Sequence, residues 1–128
     1  MAAAVAQSVD MRMDSLEMAA YMLSGGNQQK LAIGKWLVRR PSLLIADEPT
    51  RGVDVGARLK IYELIQRLAS EGLGMLLISS ELEEVMGLAD RILVMHRGRL
   101  VAELAGDAEE DLILSAAFGR HVITEVPG

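Results

Sequence analysis

The chain contains no cysteine, and only 3% of its 128 residues are aromatic. The first absence excludes disulfides, thiolate chemistry and cysteine-based zinc sites, and it fits a cytoplasmic protein. The second means that Leu, Ile, Val, Ala and Met must build the core. At 51% hydrophobic residues the composition is that of a globular chain rather than a disordered one. A basic excess is missing too: 18 acidic residues against 13 Lys and Arg leave a formal net charge of −5. Phosphate-backbone affinity comes from clustered Lys and Arg, so nucleic acid is not an expected partner. Long apolar runs are also absent. Stretches such as 73–78 and 92–95 fall far below the roughly 18 residues of a membrane span, so no direct membrane insertion is expected. The alanine-rich opening lacks a basic leader and a long apolar region, and does not read as a signal peptide.

What is present alternates between helical and strand-like patterns. Residues 1–14 have no clear period and read as a loose N-terminal segment. Asp14-Ser15-Leu16-Glu17 opens a predicted short helix ending near Tyr21, and Gly25-Gly26 is expected to break the chain before a helix from Asn27 to about Arg39. The apolar run Leu43 to Ala46 suits a strand buried on both faces, as in a parallel sheet. Ile61, Leu64, Ile65 and Leu68 recur at helical spacing within a helix predicted over 57–70. A second buried strand is expected from Met75 to Ser79, followed by an acidic helix from Leu82 to about Leu88, with Glu81, Glu83 and Glu84 as a solvated face. Arg91 to Met95 reads as a third strand, turned back through His96-Arg97-Gly98-Arg99 into a hairpin partner, Leu100 to Leu104. Asp107 resembles the cap of a last helix reaching about Phe118, with a tail beyond. Helices alternating with buried strands mean α/β.

Two segments carry chemistry. Leu23-Ser24-Gly25-Gly26-Asn27-Gln28-Gln29-Lys30 is a small-residue loop opening a helix, and Asp47-Glu48-Pro49-Thr50 follows after residues 31–46. The first can present backbone N–H groups and a helix N-terminus to an anion. The second can hold Mg²⁺ through one carboxylate and orient a water with the other. Each also has a plainer reading. Serine caps helices and glycine permits tight turns, a strand end merely wants polar residues, and Asp54 suits the cap of the following helix. His96 and His121 lack acidic or cysteine partners at ligand spacing, so neither is expected to bind metal.

Residues from about 15 to 104 resemble the nucleotide-binding domain of ABC transporters, a P-loop NTPase fold with a mainly parallel sheet flanked by helices, here ending in a β-hairpin and helix. Leu23–Lys30 looks like the signature loop, Leu43–Thr50 like the Walker B strand, and Arg51-Gly52-Val53-Asp54 like the D-loop. Ser79-Ser80-Glu81 falls at the switch-histidine position. LSGGNQQK, DEPTRGVDVG and ISSELEEV together are most like the C-terminal ATPase domain of bacterial sugar importers of the ribose and galactoside type. The resemblance divides the chain into the loose segment 1–14, the C-terminal portion of the domain at 15–106, and a C-terminal helix and tail at 107–128. It implies that Ser24, Gly25, Gly26 and Asn27 meet the γ-phosphate of ATP held by an opposite domain. It further implies that Asp47 orients Mg²⁺, that Glu48 handles the attacking water, and that Asp54 couples two ATP sites. Ser80 departs from the usual histidine; a hydroxyl is shorter and carries no positive charge, which weakens the catalytic geometry.

No G-x-x-x-x-G-K-[ST] loop occurs in the 128 residues. The resemblance therefore covers a partial domain. The chain by itself is expected neither to bind MgATP tightly nor to hydrolyse it effectively, and its standing as an enzyme stays open. The implied role is part of an importer ATPase subunit that couples ATP binding and hydrolysis to sugar uptake. Its partners would be a second ATPase domain and permease subunits at the cytoplasmic face of the membrane. The alternative is a non-enzymatic interaction module that docks on other ATPase domains. Unpaired strand edges in a partial sheet favour a homo-oligomer or a swapped dimer.

Overall fold

A computed structural model describes residues 3, 6, 7, 9–11 and 22–120. The helix expected over 14–21 and the tail bearing His121 lie outside the described residues. The chain divides into two compact units, Met1–Ile78 and Ser79–Gly128.

In the first unit, α1 (Gly25–Leu37) leads to β1 (Leu43–Asp47), then α2 (Val55–Ser70) and β2 (Gly74–Ile78). Helix α1 starts two residues earlier than the expected Asn27. Gly25 and Gly26 are its first turn rather than a break, because Ser24 caps the helix through its Oγ, which accepts the Asn27 N–H at 3.4 Å. The helix runs out when the Arg39 and Arg40 N–H groups donate to Trp36 and Leu37 carbonyls, with Arg40 in left-handed backbone (φ 47°). Helix α2 buries Ile61, Leu64, Ile65 and Leu68, the residues that its spacing picks out. This helix is the crossover that lets β1 and β2 pair in parallel, from Leu43↔Gly74 to Asp47↔Ile78.

The expectation that these strands are buried on both faces is corrected. Strand β1 buries Leu44 and Ala46 but leaves Leu43 55% and Ile45 59% exposed, and Leu76 and Ile78 of β2 are exposed beside them. Side chains alternate between faces with period two, and among the described residues only one face of this two-stranded sheet is covered. Strand β2 also ends one residue before Ser79.

The second unit runs α3 (Leu82–Leu88), β3 (Arg91–His96), β4 (Arg99–Ala105) and α4 (Glu110–Ala117). The antiparallel hairpin turns through Arg97 and Gly98, both at positive φ, the two-residue turn whose twist suits paired strands. Ile92, Val94, Ala102, Ile113 and Ala116 form its core. The His96 ring, through Nδ1, bonds the Ala117 carbonyl at 2.8 Å and so ties the hairpin to the end of α4; it is a structural residue. Two expectations fail here. Glu84 is fully buried rather than solvated, because the 100° step along α3 turns it inward while Glu83 stays exposed. Asp107 sits in the turn leaving β4, where Gly106 and Ala108 N–H groups bond Asp90 and Ala105 carbonyls, so Glu109 takes the cap position of α4. The acidic first turn survives as Glu110 and Asp111. Among the described residues no helix is long and apolar enough to cross a membrane.

Candidate functional site

Two helix N-termini meet in the first unit. At one, Ser24 and Gly25 are exposed while Gly26 is buried against the second helix: a Cβ on Gly26 would lie 2.5 Å from that of Ala57. At the other, Asp54 caps α2, its Oδ1 accepting the Ala57 N–H at 3.0 Å. Asp54 thus performs the capping role its position suggests. The first N–H groups of a helix lack partners within it, so both ends offer donors and a positive dipole.

Between them lies a cleft of about 230 Å³, lined by Ser24, Gly26 and Asn27 from α1, by Gly56 and Ala57 from α2, and by Lys30, Lys60 and Asp10. Lys30 is buried; its Nζ donates to the Asp10 carbonyl at 2.7 Å and lies 3.9 Å from the Asp10 carboxylate. Lys60 is exposed and pairs with Glu63 at 3.2 Å. Both lysines are thus paired with carboxylates, and what the cleft offers an anion is the two helix N-termini. Lys60 does not stand out in the sequence, and Lys30 enters there only as the last residue of the Leu23–Lys30 run, with no role of its own. The available signal for Lys30 is its place one helical turn after Gly26, on the face that packs inward.

Asp47 and Glu48 stand at the carboxyl end of the parallel pair, the position where open α/β sheets bind ligands. The Glu48 N–H donates to the Ile78 carbonyl at 2.8 Å, and the Arg51 N–H returns to the Glu48 carbonyl at 3.1 Å. Pro49, Thr50 and Val53 are buried, so this turn is scaffold, while Asp47 is exposed and Glu48 half-buried. Among the described residues no group of three or more His, Asp or Glu could hold a metal unaided. Mg²⁺ does not need one, since it binds through one or two carboxylates, waters and substrate phosphates. An exposed Asp47 at a strand end fits that donor set.

The structure therefore brings Ser24, Gly26 and Asn27 together, with Asp54 capping the neighbouring helix, and sets Asp47 beside Glu48. Neither Asp47 nor Glu48 lines this cleft. Ser80 is exposed in the second unit, where the Ser79 Oγ accepts the Glu81 N–H at 3.0 Å.

Residues 2–51 match the family model described as ABC transporter. The chain is 54% identical over 99 residues to the ribose import ATP-binding protein RbsA 1 of Streptomyces coelicolor, covering 77% of this chain and 20% of that protein. It is 49% identical over 116 residues to the xylose import ATP-binding protein XylG of Geobacillus kaustophilus, covering 90% and 23%. It also superposes on a nucleotide-free ATP-binding cassette from an ABC transporter with TM-score 0.80 and 28% identity, over 89% of this chain and 45% of that one. The dimeric MJ0796 cassette shares the fold at TM-score 0.71 and 23% identity, over 84% and 47%. The chain thus spans about a fifth of the length of these curated relatives and just under half of these solved cassettes.

Proposed function

Since this chain belongs to the ABC transporter family of ATPases, as a partial domain, we propose that it is part of a subunit that couples ATP binding and hydrolysis to solute import, with a sugar as the solute. The observation that carries this reading is the placement of its two chemical groups, Ser24, Gly26 and Asn27 at a helix N-terminus that lines a cleft and Asp47-Glu48 at the carboxyl end of the parallel strands. An N-terminal turn open to an anion and a strand-end carboxylate pair, in a sequence without a phosphate loop, suit an active site completed by a second ATPase domain.

In that site Ser24, Gly25, Gly26 and Asn27 bind a phosphate of the nucleotide held by the partner domain, using the serine hydroxyl and helix N–H groups. Gly26 has no Cβ because α2 occupies that space, and this keeps the two N-termini close. Asp47 is the protein ligand for Mg²⁺, which supplies charge neutralisation at the phosphate oxygens. Glu48 orients or deprotonates the attacking water. Asp54 holds α2 in place and faces the second domain, while Ser80 stands at the switch position without a histidine's positive charge. Permease subunits place the assembly at the cytoplasmic face of the membrane. With no phosphate loop of its own, the chain by itself does not bind MgATP tightly.

A second reading, a non-enzymatic module docking on other ATPase domains, draws support from the exposed apolar face of β1 and β2. One assay separates them: ATP hydrolysis by a cassette with an intact phosphate loop, with and without this chain. Stimulation that disappears on Ser24→Arg supports the signature acting in trans. Binding without stimulation supports the module, and no response at saturating partner overturns both.

A further inference from the structure

Among the described residues, four non-glycine positions have left-handed backbone: Asp10, Arg40, Glu48 and Arg97. Three have ordinary reasons. Arg97 opens a two-residue hairpin turn that requires positive φ. Arg40 ends the run-out of α1, its N–H donating to the Leu37 carbonyl at 2.9 Å. Aspartate is among the few side chains that tolerate this region.

Glu48, at φ 47°, has none of these. It is the first residue of the turn closed by the Arg51 N–H, a position at which a β-turn demands no particular φ. It follows a strand directly and remains in the ladder, because its N–H donates to the Ile78 carbonyl one step beyond the Asp47↔Ile78 pair. On its other side Pro49 and Thr50 are buried. A non-glycine residue held this way persists only where its surroundings over-determine it. The conformation has a geometric effect. Successive strand residues face opposite sides of a sheet, and a left-handed residue breaks that alternation just after Asp47.

We infer that the left-handed main chain of Glu48, clamped between the Ile78 carbonyl and the buried Pro49-Thr50 turn, is a positioning device that sets its carboxylate relative to Asp47 at a cost in stability. The Ile78 carbonyl is the positioning group, and it lies at the very end of β2. The functional side rests on the proposed water-handling role of Glu48; the backbone side does not.

Thermal unfolding of the full chain carrying Glu48→Gln, Glu48→Asn or Glu48→Gly tests it. Asparagine and glycine accept left-handed backbone and glutamine does not, yet all three remove the same charge. Asn and Gly should raise the midpoint by about 2–6 °C over Gln, which should stay near the parent. A rise in Gln equal to that in Asn would show charge relief instead, and Asn and Gly at or below Gln would show no strain; either overturns the inference. Hydrogen exchange gives a second readout: the Glu48 amide should be slowed, and exchange at the free-peptide rate would remove the clamp. If the stability order holds while a complete cassette bearing Glu48→Gln still turns over normally, the backbone inference stands and the catalytic reading falls.

Discussion

Gly26 and Ala57 touch so closely that the missing Cβ of the glycine would sit 2.5 Å from the alanine Cβ. This contact joins the first turns of α1 and α2 and so fixes where the two helix N-termini converge. Gly26→Ala should cost about 1–3 kcal/mol through overpacking, despite the better helix propensity of alanine. Gly25→Ala, whose Cβ would meet only the Gly52 carbonyl at 3.5 Å, should be neutral or slightly stabilising. Denaturant unfolding of both variants, and of Gly26→Ala combined with Ala57→Gly, checks this; failure of the second change to recover stability would rule out the contact.

Asp54 caps α2 through the Ala57 N–H. Replacing it with alanine should cost about 1 kcal/mol, and asparagine should retain most of the stability. Equal losses for the two, measured by urea titration, would mean that the carboxylate charge rather than the cap holds the helix.

The exposed face of Leu43, Ile45, Leu76 and Ile78 should make the chain self-associate at micromolar concentration, as a dimer or larger species. Light scattering should show the excess mass, and Ile45→Asp should reduce it. A clean monomer of high thermal stability would sink this expectation.

Calorimetric titration of the chain with MgATP should give no saturable heat in the low-micromolar range, because no phosphate loop is present to supply the phosphate hydrogen bonds. Clear binding there would require a nucleotide site outside the residues assigned above.

The extent to which the sequence alone was informative differed by element. Helix α2 was legible because Ile61, Leu64, Ile65 and Leu68 repeat at 3.6-residue spacing, and the acidic helix α3 because apolar and turn signals bound it on both sides. The hairpin was legible from Arg97-Gly98 between two apolar runs. The pairing of LSGGNQQK with DEPT was enough to place the family, since both are contiguous runs whose spacing survives in the chain itself. Other features depended on what packs against what. Nothing in Leu43–Ala46 says that one strand face stays bare, and nothing in Glu81–Glu84 says that only Glu84 turns fully inward. The burial of Lys30 beside Asp10 and the left-handed backbone of Glu48 are likewise set by partners distant in sequence. Local patterns in a chain report periodicity and turn chemistry, which are properties of near neighbours. Burial, strain and the meeting of two helix ends are properties of space, and only the folded arrangement decides them.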